Sequence, residues 1–202
     1  MSIAEQLLVK YPIISDQVDR EDVQIVLQLL EKVLDANIPG YIVEFGCYIG
    51  TTSLFIRRLL DARRENRSFH VYDSFEGLPE KTRKDESPAG IGFKAGALNV
   101  SKKQFIREFQ KANLKLPIIH KGWFSDLTPN DVPDRIAFAF LDGDFYESIK
   151  DSLKLVLPRI SKGGVIVIDD YVREALPGTA KAVREFGLEP TVLHGLGVLT
   201  VA

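Results

Sequence analysis

Cysteine is nearly missing from this chain: Cys47 stands alone among 202 residues. That excludes an intramolecular disulfide framework and points to a reducing compartment, with a cytoplasmic location as the default expectation. Long apolar runs are missing too. None approaches the ~20 residues needed to span a bilayer, and residues 1–12 lack the basic-then-apolar-then-small order of a secretory leader. No membrane partner is therefore expected. Neither charge sign dominates, with a formal net charge of −2 and no long block of either sign. The densest basic group (Arg57, Arg58, Arg63, Arg64 and Arg67) falls at a helix end and the turn after it. Cations there complement the helix dipole, so the group reads as a solvated face and no nucleic-acid partner is expected. Internal repeats and low-complexity tracts are absent.

What is present is alternation. Apolar residues at Val23, Val26, Leu27, Leu30, Val33 and Leu34 have the three-and-four spacing of an amphipathic helix, ended by Asn37 and Pro39-Gly40. A strand follows over Tyr41–Phe45, then a helix from Thr51 to Leu60 and a strand over Phe69–Tyr72. Residues 74–96, rich in Pro, Gly and charge, read as a lid, a binding loop or a disordered segment. Ser101 caps a helix to about Ala112. Strands are expected over Leu116–His120, Ile136–Leu141 and Val165–Ile168, with helices over Glu147–Leu157 and Thr179–Phe186. Two short runs, Pro190–Leu193 and Val198–Val201, form a closing hairpin. Helices alternating with strands imply an α/β fold: a doubly wound, mostly parallel, Rossmann-like sheet with a C-terminal antiparallel strand. The length suits a single domain over 1–202 with an N-terminal helical segment at about 1–38.

Acidic residues end four of these strands. Glu44 stands one step before the turn Phe45-Gly46-Cys47-Tyr48-Ile49-Gly50, in an otherwise apolar strand. An unpaired buried carboxylate would be costly there, so donors near a bound cofactor are expected around it. The glycine turn opens into a helix, which lets backbone N–H groups face a ligand. Cys47, Tyr48, Thr51 and Thr52 are its further candidate contacts; Cys47 reads as a small filler, with no base placed to make it a nucleophile. Asp73 ends the second strand, where a carboxylate can accept ribose hydroxyls, or else serves as a turn or cap. Asp142, Asp169 and Asp170 end two more strands. If they converge, their repulsion calls for a hard divalent cation, magnesium or manganese, bound through oxygen. If they do not, they are turn and cap residues. Asp144 competes with Asp142. Among the histidines, His70 reads as structural, His120 as a candidate for the site, and His194 as either. Trp123 with Phe124 could flank a flat base or belong to the core.

The runs Tyr72-Asp73-Ser74-Phe75-Glu76-Gly77-Leu78-Pro79, Lys121-Gly122-Trp123-Phe124-Ser125-Asp126, Leu141-Asp142-Gly143-Asp144-Phe145-Tyr146-Glu147-Ser148 and Asp169-Asp170-Tyr171 together resemble the macrocin O-methyltransferase family. The likeness runs from about Tyr41 to Phe186. It implies the methyltransferase variant of the Rossmann-like fold and an enzyme using S-adenosylmethionine and magnesium to methylate hydroxyls of macrolide sugars and related natural products. It places Glu44 and Gly46 in the cofactor turn, Asp73 and Ser74 on the ribose, and Gly122 and Trp123 near adenine. It puts Asp142, Asp169 and Asp170 on the metal. For the proton acceptor the order of candidates is Asp142, then His120 and Asp144. Two features depart from relatives: the segment before Asp22 is short, and Phe145 stands where catechol-type enzymes carry a lysine. The expected partner is a small hydroxylated molecule, a sugar or glycosylated natural product; a homo-oligomer is compatible with this reading. The alternatives are a nicotinamide-dependent oxidoreductase, which lacks a second domain for substrate here, and a scaffold that binds cofactor without turnover.

Overall fold

The computed structural model describes residues 1–202. Seven strands form one sheet: β1 (Tyr41–Phe45), β2 (Phe69–Asp73), β3 (Ile118–Lys121), β4 (Ile136–Leu141), β5 (Ile160–Ile168), β6 (Thr191–Leu193) and β7 (Leu196–Thr200), in the order β3-β2-β1-β4-β5-β7-β6. The first five are mutually parallel, and β7 runs antiparallel to both β5 and β6. Six α-helices accompany them: α1 (Ile3–Lys10), α2 (Arg20–Asp35), α3 (Thr51–Ala62), α4 (Lys102–Lys111), α5 (Tyr146–Val156) and α6 (Gly178–Glu185). No helix is long and apolar enough to cross a membrane.

Period-two alternation divides the sheet's side chains between two cores. Ile42, Phe138 and Phe140 pack with α1, α2, α3 and the Phe105 and Phe109 side of α4. Val43, Phe45, Ala139 and Leu141 pack with α5 and α6. Local chemistry sets the helix starts. Ser2 and Ser101 each close a capping box, with Glu5 and Gln104, and Asp19 caps α2 through the Glu21 amide.

Three expectations change. The fifth strand starts at Ile160 and not after Gly163-Gly164. The glycines sit inside it, where its register against β4 shifts between Ile136 and Phe138. They exchange backbone bonds with Val201 at 2.7 and 3.0 Å, which is how glycine accommodates an irregular strand. Four of the five arginines are not a solvated face; only Arg64 is exposed as expected. Arg57 is 6% exposed and pairs with Asp61, Arg58 lies 3.9 Å over the Tyr11 ring, Arg63 pairs with Asp35, and Arg67 donates to the Ile38 carbonyl and Asn37. Arg57 braces α3 itself, while Arg58, Arg63 and Arg67 fasten α3 and the turn after it to the end of α1, the end of α2 and the α2–β1 connection. Residues 74–96 also bury more than their composition suggests. Leu78 packs with Phe145 and Leu176, Leu78 and Ala97 are joined by a 2.8 Å backbone bond, and fully buried Asp85 accepts from the Tyr146 amide at 2.7 Å. This segment is a folded cover.

The β6–β7 hairpin turns on His194-Gly195, both at positive φ (50° and 98°), the left-handed pair a two-residue hairpin loop requires. His194 Nδ1 lies 2.9 Å from Asp22 Oδ1 on α2, with Glu21 at 3.4 Å from Nε2. The Asp22 bond, aided by the negative charges of Asp22, Glu21 and Asp19, raises the imidazole above its ordinary pKa. A histidine raised on folding stabilises fully below its unfolded value of about 6.5, and that contribution is lost as pH rises through the folded value. The Tm difference between wild type and His194→Gln should therefore be largest in mild acid and fade in alkali. An equal difference at both extremes would show that the clasp is not ionic.

Candidate functional site

The strand order reverses between β1 and β4, with β2 and β3 on one side of β1 and β4, β5 and β7 on the other. The carboxyl ends at such a switch point leave a crevice. Here it is an open-mouthed cleft lined by residues from both sides of the reversal, the place where open α/β sheets bind small molecules.

Its floor is the turn after β1. Gly46 (φ +87°) is required: a Cβ there would lie 1.8 Å from the Asp142 carbonyl oxygen. The Gly46 amide donates to the Tyr72 carbonyl, and the Asp142 amide to that of Phe45, both at 2.8 Å. Asp73 then closes the turn. Its Oδ2 accepts from the amides of Cys47 (2.8 Å) and Tyr48 (3.2 Å), and its Oδ1 from Phe75 (2.7 Å). Glu44, 1% exposed, accepts from the Ser53 hydroxyl on α3. Burial pushes its carboxyl up to about 8, against the Ser53 bond and with help from the Asp73 charge. Burial likewise pushes the Cys47 thiol well up, with Asp73 and Glu44 adding to it, so Cys47 is no nucleophile. Thr51 and Thr52 line the cleft, and the buried Thr51 hydroxyl has no hydrogen-bond partner. That orphan, in a cleft lined by the glycine turn, fits a bound polar ligand such as a nucleoside cofactor.

Opposite lies the acid cluster. Carboxylate oxygens of Asp142, Asp144 and Asp170 all come within 4.8 Å of one another. Asp169, expected with Asp142 and Asp170, is outside this group and Asp144 takes its place; Asp169 lines the same cleft, with its Oδ1 accepting from the Asp170 amide at 2.9 Å. Asp144 and Asp170 hold left-handed backbone (φ 57° and 52°), strain that concentrates at functional sites. Burial and then mutual repulsion push Asp142 and Asp169 well above the usual carboxylate range and Asp144 up to about 7. Burial also raises Asp170, against the pull of Arg173. An all-oxygen set of this kind fits a hard divalent cation, which reverses the penalty.

Most predicted residues meet here: Glu44, Gly46, Cys47, Tyr48, Thr51, Thr52, Asp73, Ser74, Trp123, Asp142, Asp144, Asp169 and Asp170 all line the cleft. Two do not. His120 sits on β3, its ring stacked 4.4 Å from Tyr72 and its Nε2 3.0 Å from His70 Nδ1. Register with β2 carries it onto the sheet face, so it is withdrawn as a proton acceptor. Gly122 serves its neighbours instead: its amide donates to the Asp73 carbonyl, and Trp123 and Phe124 follow into the cleft. Tyr146 and Lys150 have the Tyr-x-x-x-Lys spacing of many nicotinamide-dependent oxidoreductases. They lie outside the cleft, with the Tyr146 hydroxyl bound to Glu185. Gly77, Leu78, Pro79 and Phe93 come from the segment read as a lid or binding loop, though none is singled out there as a site residue; sequence reasoning missed Gln17 and Val18 between α1 and α2, Leu98, and Arg173. Of these only Arg173 carried a signal, three residues beyond Asp170.

The family model for macrocin-O-methyltransferase (TylF) matches residues 14–197. The 8-demethyl-8-(2,3-dimethoxy-alpha-L-rhamnosyl)-tetracenomycin-C 4'-O-methyltransferase of Streptomyces olivaceus is 36% identical over 178 residues, covering 84% of this chain and 68% of the relative. Demethyldecarbamoylnovobiocin O-methyltransferase of Streptomyces niveus is 32% identical over 165 residues, 79% of this chain and 62% of the relative. The chain thus spans about two thirds of the length of these relatives. Among solved structures, the O-methyltransferase NovP superposes with a TM-score of 0.78 at 27% identity, over 91% of this chain and 81% of its own. The calicheamicin methyltransferase CalS11 shares the fold with a TM-score of 0.77 at 22% identity, over 98% and 90%.

Glu44 offers a test of the cleft's electrostatics. A carboxyl raised from about 4.5 to about 8 on folding keeps its proton while the unfolded chain ionises. Its contribution is greatest below the unfolded value and is lost as pH rises through the folded one. In ligand-free protein, Glu44→Gln should lessen the decline of denaturation free energy between those limits, leaving the slope due to the aspartates. An unchanged slope would mean that Glu44 is ionised in the folded state.

Proposed function

The chain belongs to the macrocin-O-methyltransferase family, and we propose that it transfers a methyl group from S-adenosylmethionine to a hydroxyl oxygen of a sugar or glycosylated natural product, with a divalent cation bound beside the donor. One observation carries this reading. The clamped glycine turn and the acid cluster open into the same cleft, joined where Gly46 meets the Asp142 carbonyl.

Each part of the cleft has a separate task. The turn from Gly46 to Thr52 would hold the donor's amino-acid end, and Asp73, with lone pairs left beyond its three amides, would accept ribose hydroxyls beside Ser74. Trp123 and Phe124 would flank the base. Asp142, Asp169 and Asp170 would hold magnesium or manganese. When bound, the donor supplies an electrophilic methyl group and the cation a Lewis acid that eases deprotonation of the acceptor hydroxyl. Asp144 is the proton acceptor favoured by position. Asp142 is assigned to the cation, whereas Asp144, whose carboxylate reaches the same cluster from its own left-handed turn, is left free to take the proton of a hydroxyl held there.

The apolar side of the cleft supports the acceptor class. Val18, Leu78, Pro79, Phe93 and Leu98 are apolar and line the same cleft as the carboxylates. A hydroxylated ring on an apolar body can place its hydroxyls on the acids and its body against these side chains.

Calorimetry with S-adenosylhomocysteine against NAD, with and without magnesium, should show binding of the former alone. Isotopically labelled donor, offered with sugars, glycosides and catechols, should label oxygen. Label on nitrogen or carbon would reject the reading, and binding without transfer to any acceptor would favour a scaffold. Asp144→Asn should keep donor affinity and lose about 10²- to 10⁴-fold in turnover. Asp142→Asn should lose cation binding as well. Full turnover in Asp144→Asn would return the proton to Asp142.

A further inference from the structure

Six carboxylates line the cleft (Glu44, Asp73, Asp142, Asp144, Asp169 and Asp170), and Arg173 is the only lysine or arginine among its lining residues. Arg173 also lines both recesses that lead from the acid cluster toward Asp19 and Asp22, again as their only lysine or arginine. Its Nη1 lies 2.7 Å from Asp170 Oδ1, and the Asp170 side chain is 10% exposed against 46% for Arg173. The guanidinium is therefore applied from the solvent side onto a carboxylate that is itself sunk in the cleft. It also lies 5.4 Å from the Phe93 ring of the cover, a second favourable perch for a cation. The segment between β5 and α6 that carries it is anchored by the Val172 amide on the Gly195 carbonyl at 3.0 Å.

A buried set of carboxylates needs positive charge whether or not a metal is bound. We propose that Arg173 is the resident counter-cation of the acid cluster. It holds Asp170 while the metal is away, and a divalent cation has to displace it from that carboxylate in order to bind. The inference rests on the cation reading of Asp142, Asp169 and Asp170. It adds that the protein's own arginine competes with the metal and weakens its apparent affinity.

The test is a manganese titration followed by electron paramagnetic resonance, with neither donor nor acceptor present. It uses wild type, Arg173→Gln, Arg173→Lys and, as a control, Asp170→Asn, with thermal melts of each in chelator and in manganese. Arg173→Gln should bind manganese about three- to tenfold more tightly, the scale of a half-exposed ion pair. It should melt lower than wild type in chelator and gain more on adding manganese. Arg173→Lys, which keeps the charge without the planar fork, should fall between. A residue that merely supports the fold would weaken metal binding when removed. Equal or weaker manganese affinity in Arg173→Gln, with a cooperative melt, would therefore overturn the role of Arg173 and leave the cation reading standing. Should Arg173→Gln fail to fold, Arg173→Lys decides by the same comparison. If no variant and not wild type binds millimolar manganese, the cation reading itself fails, and this inference with it.

Discussion

Everything at the site hangs on the carboxylate of Asp73. It stands at the tip of β2, yet three of its acceptor positions are used by backbone amides, two of them from the turn after β1. Charge-assisted bonds to amides are among the stronger hydrogen bonds a protein makes. These hold the turn in a shape that alternates glycine and left-handed backbone, including Tyr48 at φ 47°. Gly46 can then press against the Asp142 carbonyl, and that contact brings the acid-bearing tip of β4 to the edge of the turn. Asp73 is thus a brace for the loop before it is a ligand for anything in it.

The second constraint is electrostatic. Burial pushes Glu44, Asp142, Asp144, Asp169 and Asp170 toward their protonated forms, so the cleft is a place where negative charge costs stability until something compensates it. Arg173 does so in part, from the solvent side. A cation among the carboxylates would do so more completely, at the place where an acceptor hydroxyl has to lose its proton. Destabilisation of the ligand-free cleft and affinity for a cation are two aspects of one arrangement.

Much of the fold was legible along the chain because its signals are local. Tyr41–Phe45 and Ile136–Leu141 are strands to the residue: their apolar runs are short and bounded by turn residues. Ser101 stops and starts the chain where a capping serine should. Gly163-Gly164 misled because a glycine pair in sequence reads as a turn. Only pairing with β4 and with Val201 shows it to be an irregularity inside a strand. The arginines misled likewise, since Asp35, Tyr11 and the Ile38 carbonyl, which receive them, lie on other elements.

The sequence by itself determined which residues could do chemistry and at which strand ends they stand, because an acid after an apolar run is visible without knowing its neighbours. Tertiary structure alone decided which of them meet. His120 reads as the end of a strand, as Asp73 does, but β3 runs on to Lys121, which pairs with Asp73, and His120 pairs beside Tyr72 with its ring stacked on the sheet face. Asp144 joins Asp142 and Asp170 because left-handed backbone after β4 brings its carboxylate back to the cluster. Val18, Phe93 and Arg173, far apart in the chain, close over the same cleft. Side-chain direction and the packing of distant segments depend on contacts across the whole sheet, and no local pattern of residues encodes them.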